Sequence, residues 1–289
     1  MNDPEILMDV HNHSNLSPDG SNDPEEMVRR ATELGIRYYS LTDHLEINKF
    51  YDEEYLYEEP VKRASEICPA LIKKYADKIN MAYGVELGQP LQDMELTKRM
   101  LSSYDYDFII GSLHMCNGWE DFYLLDYNEV QPEMIMKLYF EEMLEMARWG
   151  EFDVLGHLTY PLRYIVGESE LYIDMSKYLP IIKEIFSALI KNDIGIEINS
   201  SGLRQKIGLT LPDEYYVRLY KELGGKILTV GSDAHCTQDL GKGIPEAIEL
   251  ARNVGFTELA FFKKRNPTFI SIKSVSYTHL RAHETCADL

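Results

Sequence analysis

Cysteine is scarce in this sequence. Its four residues, Cys68, Cys116, Cys236 and Cys286, are spread over 289 positions and none sits in a C-x-x-C pair, which excludes a disulfide-stapled scaffold and a structural zinc site built from thiolates. Free thiols are expected. Positive charge is the minority sign, with 29 Lys and Arg against 48 Asp and Glu and a formal net charge of -19. Nucleic-acid backbones and anionic membrane surfaces select basic patches, so neither is an expected partner. Long apolar runs are missing as well: no stretch approaches the roughly 18 residues of a membrane span. The N-terminal segment MNDPEILMDVHNH has no basic stretch leading into an apolar one, as a secretory signal would. A cytoplasmic location is the expectation.

What is present is an ordinary globular composition, 45% hydrophobic and 11% aromatic. Short apolar runs of strand type recur: ILMDVHNH from Ile6, YYSLTDH from Tyr38, MAYGVELG from Met81, FIIGSLH from Phe108, VLGHL from Val154, IGIEINSS from Ile194 and ILTVGSDAH from Ile227. Between them lie segments of helical period. PEEMVRRATELG carries Asp23 and Pro24 at its start and Gly35 at its end, the residues that cap helices. QPEMIMKLYFEEMLEMARWG and YLPIIKEIFSALIKNDIG repeat the pattern, each with a closing glycine. Strands alternating with helices predict a parallel sheet, and strands apolar on both faces predict helices covering it outside. The acidic, aromatic stretch from Ile47 to Pro60 has neither period and is read as a long loop after the second strand.

Polar residues fall at the ends of these runs. His11 and His13, Asp43 and His44, Glu86, His114, His157, Asn199, and Asp233 with His235 each follow an apolar stretch. Chemistry at the C-terminal ends of parallel strands is the barrel-enzyme arrangement; an open doubly wound sheet gathers its ligands at one switch point instead. Convergence from seven runs predicts a closed or nearly closed (β/α)7 barrel, one α/β domain over residues 1–274. Single barrels routinely reach about 250 residues, so length does not demand two domains.

Six of the eight histidines lie at or just past a predicted strand end, and the helical segments carry none. Unrelated histidines would scatter. His11 and His13, two apart on a strand, point to the same side and can chelate one ion. The T-D-H and S-D-A-H segments at Asp43–His44 and Asp233–His235 each offer a carboxylate and an imidazole, and Glu86 offers a carboxylate able to bridge two ions. This nitrogen and oxygen donor set suits Zn, Mn or Fe. At roughly three or four protein ligands per ion, it calls for two or three ions.

The ordered set HNH, SPDG with Asp19, TDH, GVE, GSLH, GH and GSDAH resembles the PHP (polymerase and histidinol phosphatase) superfamily, from Leu7 to about Ile272. That superfamily comprises trinuclear metal phosphoesterases on a distorted seven-stranded β/α barrel, and the resemblance implies both fold and activity. It further implies that His11, His13, Glu86 and Asp233 hold one ion, that Glu86, His114 and His157 hold a second, and that Asp19, His44 and His235 hold a third. Position 19, often His in the superfamily, is Asp here, which puts the occupancy of the third site in question. Gly118-Trp119 after His114, and the segment Asn199-Ser200-Ser201-Gly202-Leu203-Arg204, are similar to the histidinol-phosphate phosphatase branch.

A small phosphate monoester, L-histidinol phosphate, is then the expected substrate. Bound ions would bring the pKa of a coordinated water from 15.7 towards about 7 and supply the attacking hydroxide, so no serine or cysteine nucleophile is needed. Asp233 and His235, with Arg163 and Arg204, form the expected catalytic set. The two guanidiniums match the geometry of phosphate and stay charged, with Gly202 allowing the turn that delivers Arg204. Asn199, Ser201 and Trp119 are the further substrate-contact candidates, with Tyr160 and Tyr164 as other rings able to stack on an imidazole. Glu197, alternating with Asn199 on its strand, is read as the carboxylate partner of a metal-bound histidine. Cys116 and Cys236 are read as small packing residues.

Three other readings stand beside this one. A PHP phosphoesterase for another small monoester or for phosphotyrosine would use the same ions, whereas a non-catalytic PHP module would have lost ligands. A related amidohydrolase barrel would place a bridging Lys at a strand end, and no run here ends in Lys. Residues 275–289, reading VSYTHLRAHETCADL, resemble the in-frame translation of a sequencing-library adapter. They are expected to be non-native, so His279, His283 and Cys286 are set aside.

Overall fold

The structure is a computed structural model that describes residues 8–48 and 55–272. Ten strands are present among them: β1 (Met8–Asp9), β2 (Tyr38–Leu41), β3 (His44–Glu46), β4 (Asn80–Gly88), β5 (Phe108–Ser112), β6 (Val154–Leu155), β7 (Gly195–Asn199), β8 (Leu228–Gly231), β9 (Glu258–Lys263) and β10 (Asn266–Ser271). The main helices are α1 (Pro24–Glu33), α2 (Tyr55–Lys74), α3 (Met94–Ser103), α4 (Pro132–Trp149), α5 (Leu179–Lys191), α6 (Glu214–Glu222) and α7 (Ile244–Val254). The parallel order is β1-β2-β4-β5-β6-β7-β8, with β3 continuing the line of β2 alongside β4. This is the expected seven-stranded β/α barrel, nearly closed. Among the described residues no helix is long and apolar enough to cross a membrane.

Closure occurs between β1 and β8. Val10 N donates to Val230 O, Asp233 N to His11 O and His13 N to Ala234 O, at 3.1, 2.8 and 2.8 Å. Behind this seam the buried Asp9 accepts from Ser232 N, Ser232 Oγ and Gly241 N at 2.8, 2.6 and 2.9 Å. The seam fixes the segments carrying His11, His13, Asp233 and His235 against one another.

Local chemistry accounts for most helix boundaries. Asp23 accepts from Glu26 N at the start of α1, Pro24 occupies the first turn, and Gly35 takes the left-handed conformation after the end. Gly150 closes α4 the same way. In α5 the expected closing glycine is not the cap: the turn passes through Asn192 and a left-handed Asp193, and Gly195 opens β7. The loop expected over 47–60 is also shorter, because α2 already runs from Tyr55. Buried Val61, Ala64, Cys68 and Leu71 form a stripe of helical spacing that carries the helix back through Pro60. Residues 49–54 lie outside the described residues.

The antiparallel β9–β10 hairpin covers the end of the barrel opposite the strand C-termini. Its turn residues Lys264 and Arg265 both have positive φ. They are pinned by Asp107, which accepts Lys264 N at 2.9 Å, and by Asp153, which accepts Arg265 Nε at 2.8 Å. Asp107 and Asp153 immediately precede β5 and β6, so this end is closed by structure and the other is left for chemistry.

Candidate metal centre

Six imidazoles and a set of carboxylates meet at the C-terminal ends of the strands. Glu86, near the end of β4 and 1% exposed, stands at the centre. Its Oε2 lies 3.3 Å from His11 Nε2, 3.4 Å from His13 Nε2 and 3.0 Å from His44 Nδ1. Its Oε1 lies 3.2 Å from His114 Nε2 and 2.8 Å from His157 Nε2. Asp233 Oδ1 is 3.4 Å from His13 Nε2 and 3.8 Å from His11 Nε2. Asp19, on the loop after β1, reaches His235 Nε2 at 3.2 Å and His44 Nε2 at 3.7 Å.

Carboxylates also stand behind the imidazoles. Glu197 Oε1 is 2.7 Å from His11 Nδ1, and Glu46 Oε1 is 2.8 Å from His114 Nδ1. His13 Nδ1 is 3.1 Å from Ser17 Oγ, which donates to Asp43 at 2.8 Å. In these three the ring nitrogen facing outward is held, which turns the other nitrogen inward, the arrangement that fixes metal-ligating histidines. Close packing makes it possible. A Cβ on Gly231 would collide with His11 and Glu197, and one on Gly202 with the Leu209 carbonyl, so both positions require glycine for proximity. Gly202, read as a turn residue, lies instead in a short 3-10 helix, Ser201–Arg204.

The electrostatics are those of a cation site. Burial opposes charge on His11, but Glu197, Glu86 and Asp233 outweigh it and raise its pKa well above the usual value. Burial likewise opposes charge on His114, which Glu46 and Glu86 nevertheless raise to about 10. Glu86 and Asp233 are held well below the carboxylate range despite burial, chiefly by His11. His13 goes the other way: burial and the neighbouring His235 and His44 drive it down to about 3. The carboxylates thus attract positive charge onto a buried cluster, and divalent ions would satisfy the same demand.

His11 Nε2, His13 Nε2, His235 Nε2 and Glu86 Oε2 are buried with no hydrogen-bond partner among the described residues. Buried polar atoms are rarely left so. Their convergence on shared points, with nitrogen and oxygen donors only, fits divalent ions such as Zn, Mn or Fe. The geometry groups His11, His13 and Asp233, then His11, Glu86 and His157, then His13, His44 and His235, then His44, Glu46 and His114. No cysteine joins these groups among the described residues.

Several candidates sit elsewhere than their sequence positions suggested. Asp43 does not face the cluster: its carboxylate accepts from Ser14 N at 2.6 Å, Ser14 Oγ and Ser17 Oγ, and so shapes the loop that presents Asp19. Arg163 lines the open cavity of about 610 Å³ beside the cluster, its guanidinium 3.4 Å from Asp233 Oδ2 and stacked on Tyr160 at 4.8 Å. Arg204 is not among the lining residues; it reaches the carbonyls of Asp233 and Lys242 at 3.4 and 3.5 Å. Ser201 and Asn199 lie buried behind the wall, Ser201 accepting from Arg163 at 2.6 Å and Asn199 donating to Asp233 at 3.3 Å. Trp119 packs against the core outside the cavity.

Glu46 and Asp121 were not singled out from sequence, yet both line the cavity. Glu46 was findable, since it stands two residues after His44 on a strand, the same spacing that made His11 and His13 a pair. Asp121 lies in an irregular loop after β5 and carries no periodic signal.

The profile of the family described as the PHP domain matches residues 9–201. The chain belongs to the PHP domain family. A probable histidinol-phosphatase of Clostridium acetobutylicum is 28% identical over 270 residues, covering 90% of this chain and 98% of that protein. The histidinol-phosphatase of Lactococcus lactis is 26% identical, with coverage of 88% and 94%. The crystal structure of histidinol phosphate phosphatase from Lactococcus lactis, complexed with Zn, L-histidinol and phosphate, aligns with a TM-score of 0.77. Identity is 25%, and the alignment covers 91% of this chain and 99% of that one. In this PHP chain the matched region contains Glu86 and five of the six cluster histidines; Asp233 and His235 lie beyond it, on the segment after β8.

Proposed function

We propose that this chain is a metal-dependent phosphomonoesterase that hydrolyses L-histidinol phosphate to L-histidinol and phosphate. The observation that carries it is the end-to-end match to a barrel holding Zn, L-histidinol and phosphate, in a chain whose own strand ends gather six histidines around Glu86.

In this reading His11, His13, Glu86 and Asp233 hold one ion, Glu86, His114 and His157 a second, and Asp19, His44 and His235 a third. Divalent ions bound there supply positive charge opposite the transferring phosphoryl group and acidify a water towards neutral pKa. The remaining work belongs to the chain. Arg163 faces the cavity with a charge that does not titrate, and its donors suit phosphate oxygens. Asp233 joins the two regions: Oδ1 faces His11 and His13 while Oδ2 meets Arg163 and Asn199. Asn199 and Ser201 hold those groups in place, and Arg204 braces the backbone of Asp233 from the rim. The polar cavity floor and aromatic wall fit a small organic phosphate, and a cytoplasmic location is part of the same reading.

The test is phosphate release from L-histidinol phosphate, set beside other monoesters and phosphotyrosine, after chelation and with Zn or Mn restored. A large metal-dependent preference for histidinol phosphate is expected. Metal-dependent hydrolysis without that preference would discard the substrate and keep the chemistry; absence of hydrolysis by metallated protein would discard both.

A further inference from the structure

His157 is held differently from three of its neighbours. The outward nitrogens of His11, His13 and His114 meet Glu197, Ser17 and Glu46 at 2.7, 3.1 and 2.8 Å. His157 turns Nε2 to Glu86 at 2.8 Å, and its Nδ1 is buried with no hydrogen-bond partner among the described residues. The direction of this ring is left to the backbone that carries it and to the Tyr160 ring, 4.8 Å away between centroids.

That backbone is gripped from two sides. From within the barrel, Glu197 Oε2 accepts His157 N at 3.1 Å. From the helix layer, the hydroxyl of Tyr139 donates to Leu158 O at 3.1 Å and reaches His157 O at 3.5 Å. Tyr139 lies midway along α4, fully buried, on the inward stripe with Ile135, Met136 and Met143. Burial holds its phenol well above the usual range, so it remains a donor. Leu158 is buried too, and a buried carbonyl deprived of its donor is costly.

The same helix backs His114. The Tyr139 ring meets Phe122 edge-on at 5.4 Å between centroids, and Phe122 N donates to His114 O at 2.9 Å. Glu142, three residues further along α4, accepts Asn117 N at 2.9 Å. Since α4 is the crossover between β5 and β6, the helix that joins these strands also registers the segments that follow them. The two imidazoles they present approach to 3.3 Å, Nε2 to Nε2, beside Glu86 Oε1.

We infer that Tyr139 is a positioning residue for the ion assigned to Glu86, His114 and His157: its hydroxyl sets the direction of His157, and its ring sets the depth of the segment after His114. The inference rests on the metal-centre reading and adds to it a residue of the helix layer that does not line the cavity.

The test replaces Tyr139 by Phe, which keeps the ring and removes the hydroxyl, with Tyr178→Phe as the control. Tyr178 donates to Glu133 O at 3.0 Å, an equivalent phenol-to-carbonyl bond on α4 that involves neither histidine-bearing segment. Chelated protein is titrated with Zn against a chromogenic chelator, and visible absorption is recorded after loading with Co(II). In Tyr139→Phe one binding step should weaken by about 10-fold, the lower end of what partners of metal-bound histidines contribute, and the Co(II) bands should shift. Tyr178→Phe should lower Tm comparably and keep wild-type affinity and bands, with circular dichroism reporting that both variants are folded. Wild-type affinity and bands in Tyr139→Phe, with only Tm reduced, would overturn the positioning role and leave the metal centre intact, as would an equal loss of affinity in both variants. Wild-type protein that binds no Zn would overturn the metal centre and the inference with it.

Discussion

Glu197 and His11 lie 2.7 Å apart, carboxylate Oε1 to imidazole Nδ1, and neither side chain exposes more than 1% of its surface. The other oxygen of Glu197 accepts His157 N at 3.1 Å and Asn199 Nδ2 at 3.2 Å. One buried carboxylate thus orients a ring just past β1 and the backbone just past β6.

Replacing Glu197 by Gln keeps the shape and removes the charge that holds the His11 ring. Outer partners of metal-bound histidines typically contribute about 10- to 100-fold in metal affinity or activity. Glu197→Gln is expected to weaken Zn binding by an amount in that range, read by competition with a chromogenic chelator. Affinity equal to wild type would remove Glu197 from this role.

Glu86 has five imidazoles within 3.4 Å. Its removal would leave several ions short of a ligand at once, so Glu86→Ala should abolish turnover and lower bound metal by more than one ion per chain, with far-ultraviolet circular dichroism preserved. His13→Ala should also abolish turnover. Elemental analysis after desalting checks the stoichiometry, and full activity in either reconstituted variant would contradict the assignment of these ligands.

Arg163 and Arg204 separate into two roles by position. Arg163 lines the cavity and has a buried Nε without a hydrogen-bond partner among the described residues; Arg204 spends its donors on carbonyls at the rim. Losing a charge-assisted contact costs about 1.5–3 kcal/mol, or on the order of 10- to 100-fold in kcat/KM. Arg163→Ala should show at least that loss. Arg204→Ala should mainly raise KM and by less; steady-state kinetics on histidinol phosphate with the order reversed would exchange the two roles.

Much of this arrangement is visible in sequence because strands that bury both faces leave polar residues nowhere to go but their ends. His11, His13, His114 and His157 could be placed on that ground alone. Asp43 and His44 show where the reasoning stops. Adjacent strand residues point to opposite sides, so only one of them can face the cluster, and the structure turns His44 inward and Asp43 towards Ser14 and Ser17. The same rule pairs His44 with Glu46 within β3, which starts after a break from β2 that composition does not announce. Asp121 was invisible for a different reason: its position is set by an irregular loop, which no local period encodes.

Metal loss has a thermodynamic and a pH signature. Ligation requires neutral imidazoles and ionised carboxylates, so protons compete with metal and affinity falls as pH falls. Ions that bind only the native donor set stabilise it, by about 2.7 kcal/mol at a hundredfold excess over Kd. Chelation at neutral pH should therefore lower Tm by several degrees and abolish activity, and the Tm difference between metallated and chelated protein should shrink on acidification. Scanning calorimetry at neutral and mildly acidic pH checks the sign; a difference that grows at low pH would be incompatible with this donor set.

The last described residue, Ile272, is 1% exposed and anchored on both sides of its peptide unit. Its N–H donates to Thr257 O at 2.9 Å, and its carbonyl accepts Arg252 Nε at 2.6 Å. These contacts tie the end of β10 to the barrel, and none of them involves residues 275–289, which lie outside the described residues. A stop codon after Ser274 is expected to leave kcat/KM and Tm unchanged. One placed after Ser271 also removes the Ile272 side chain, whose full burial contributes about 1.5–3 kcal/mol, and should lower Tm measurably. An inactive or destabilised 1–274 protein would show that the segment resembling an adapter translation belongs to the working fold.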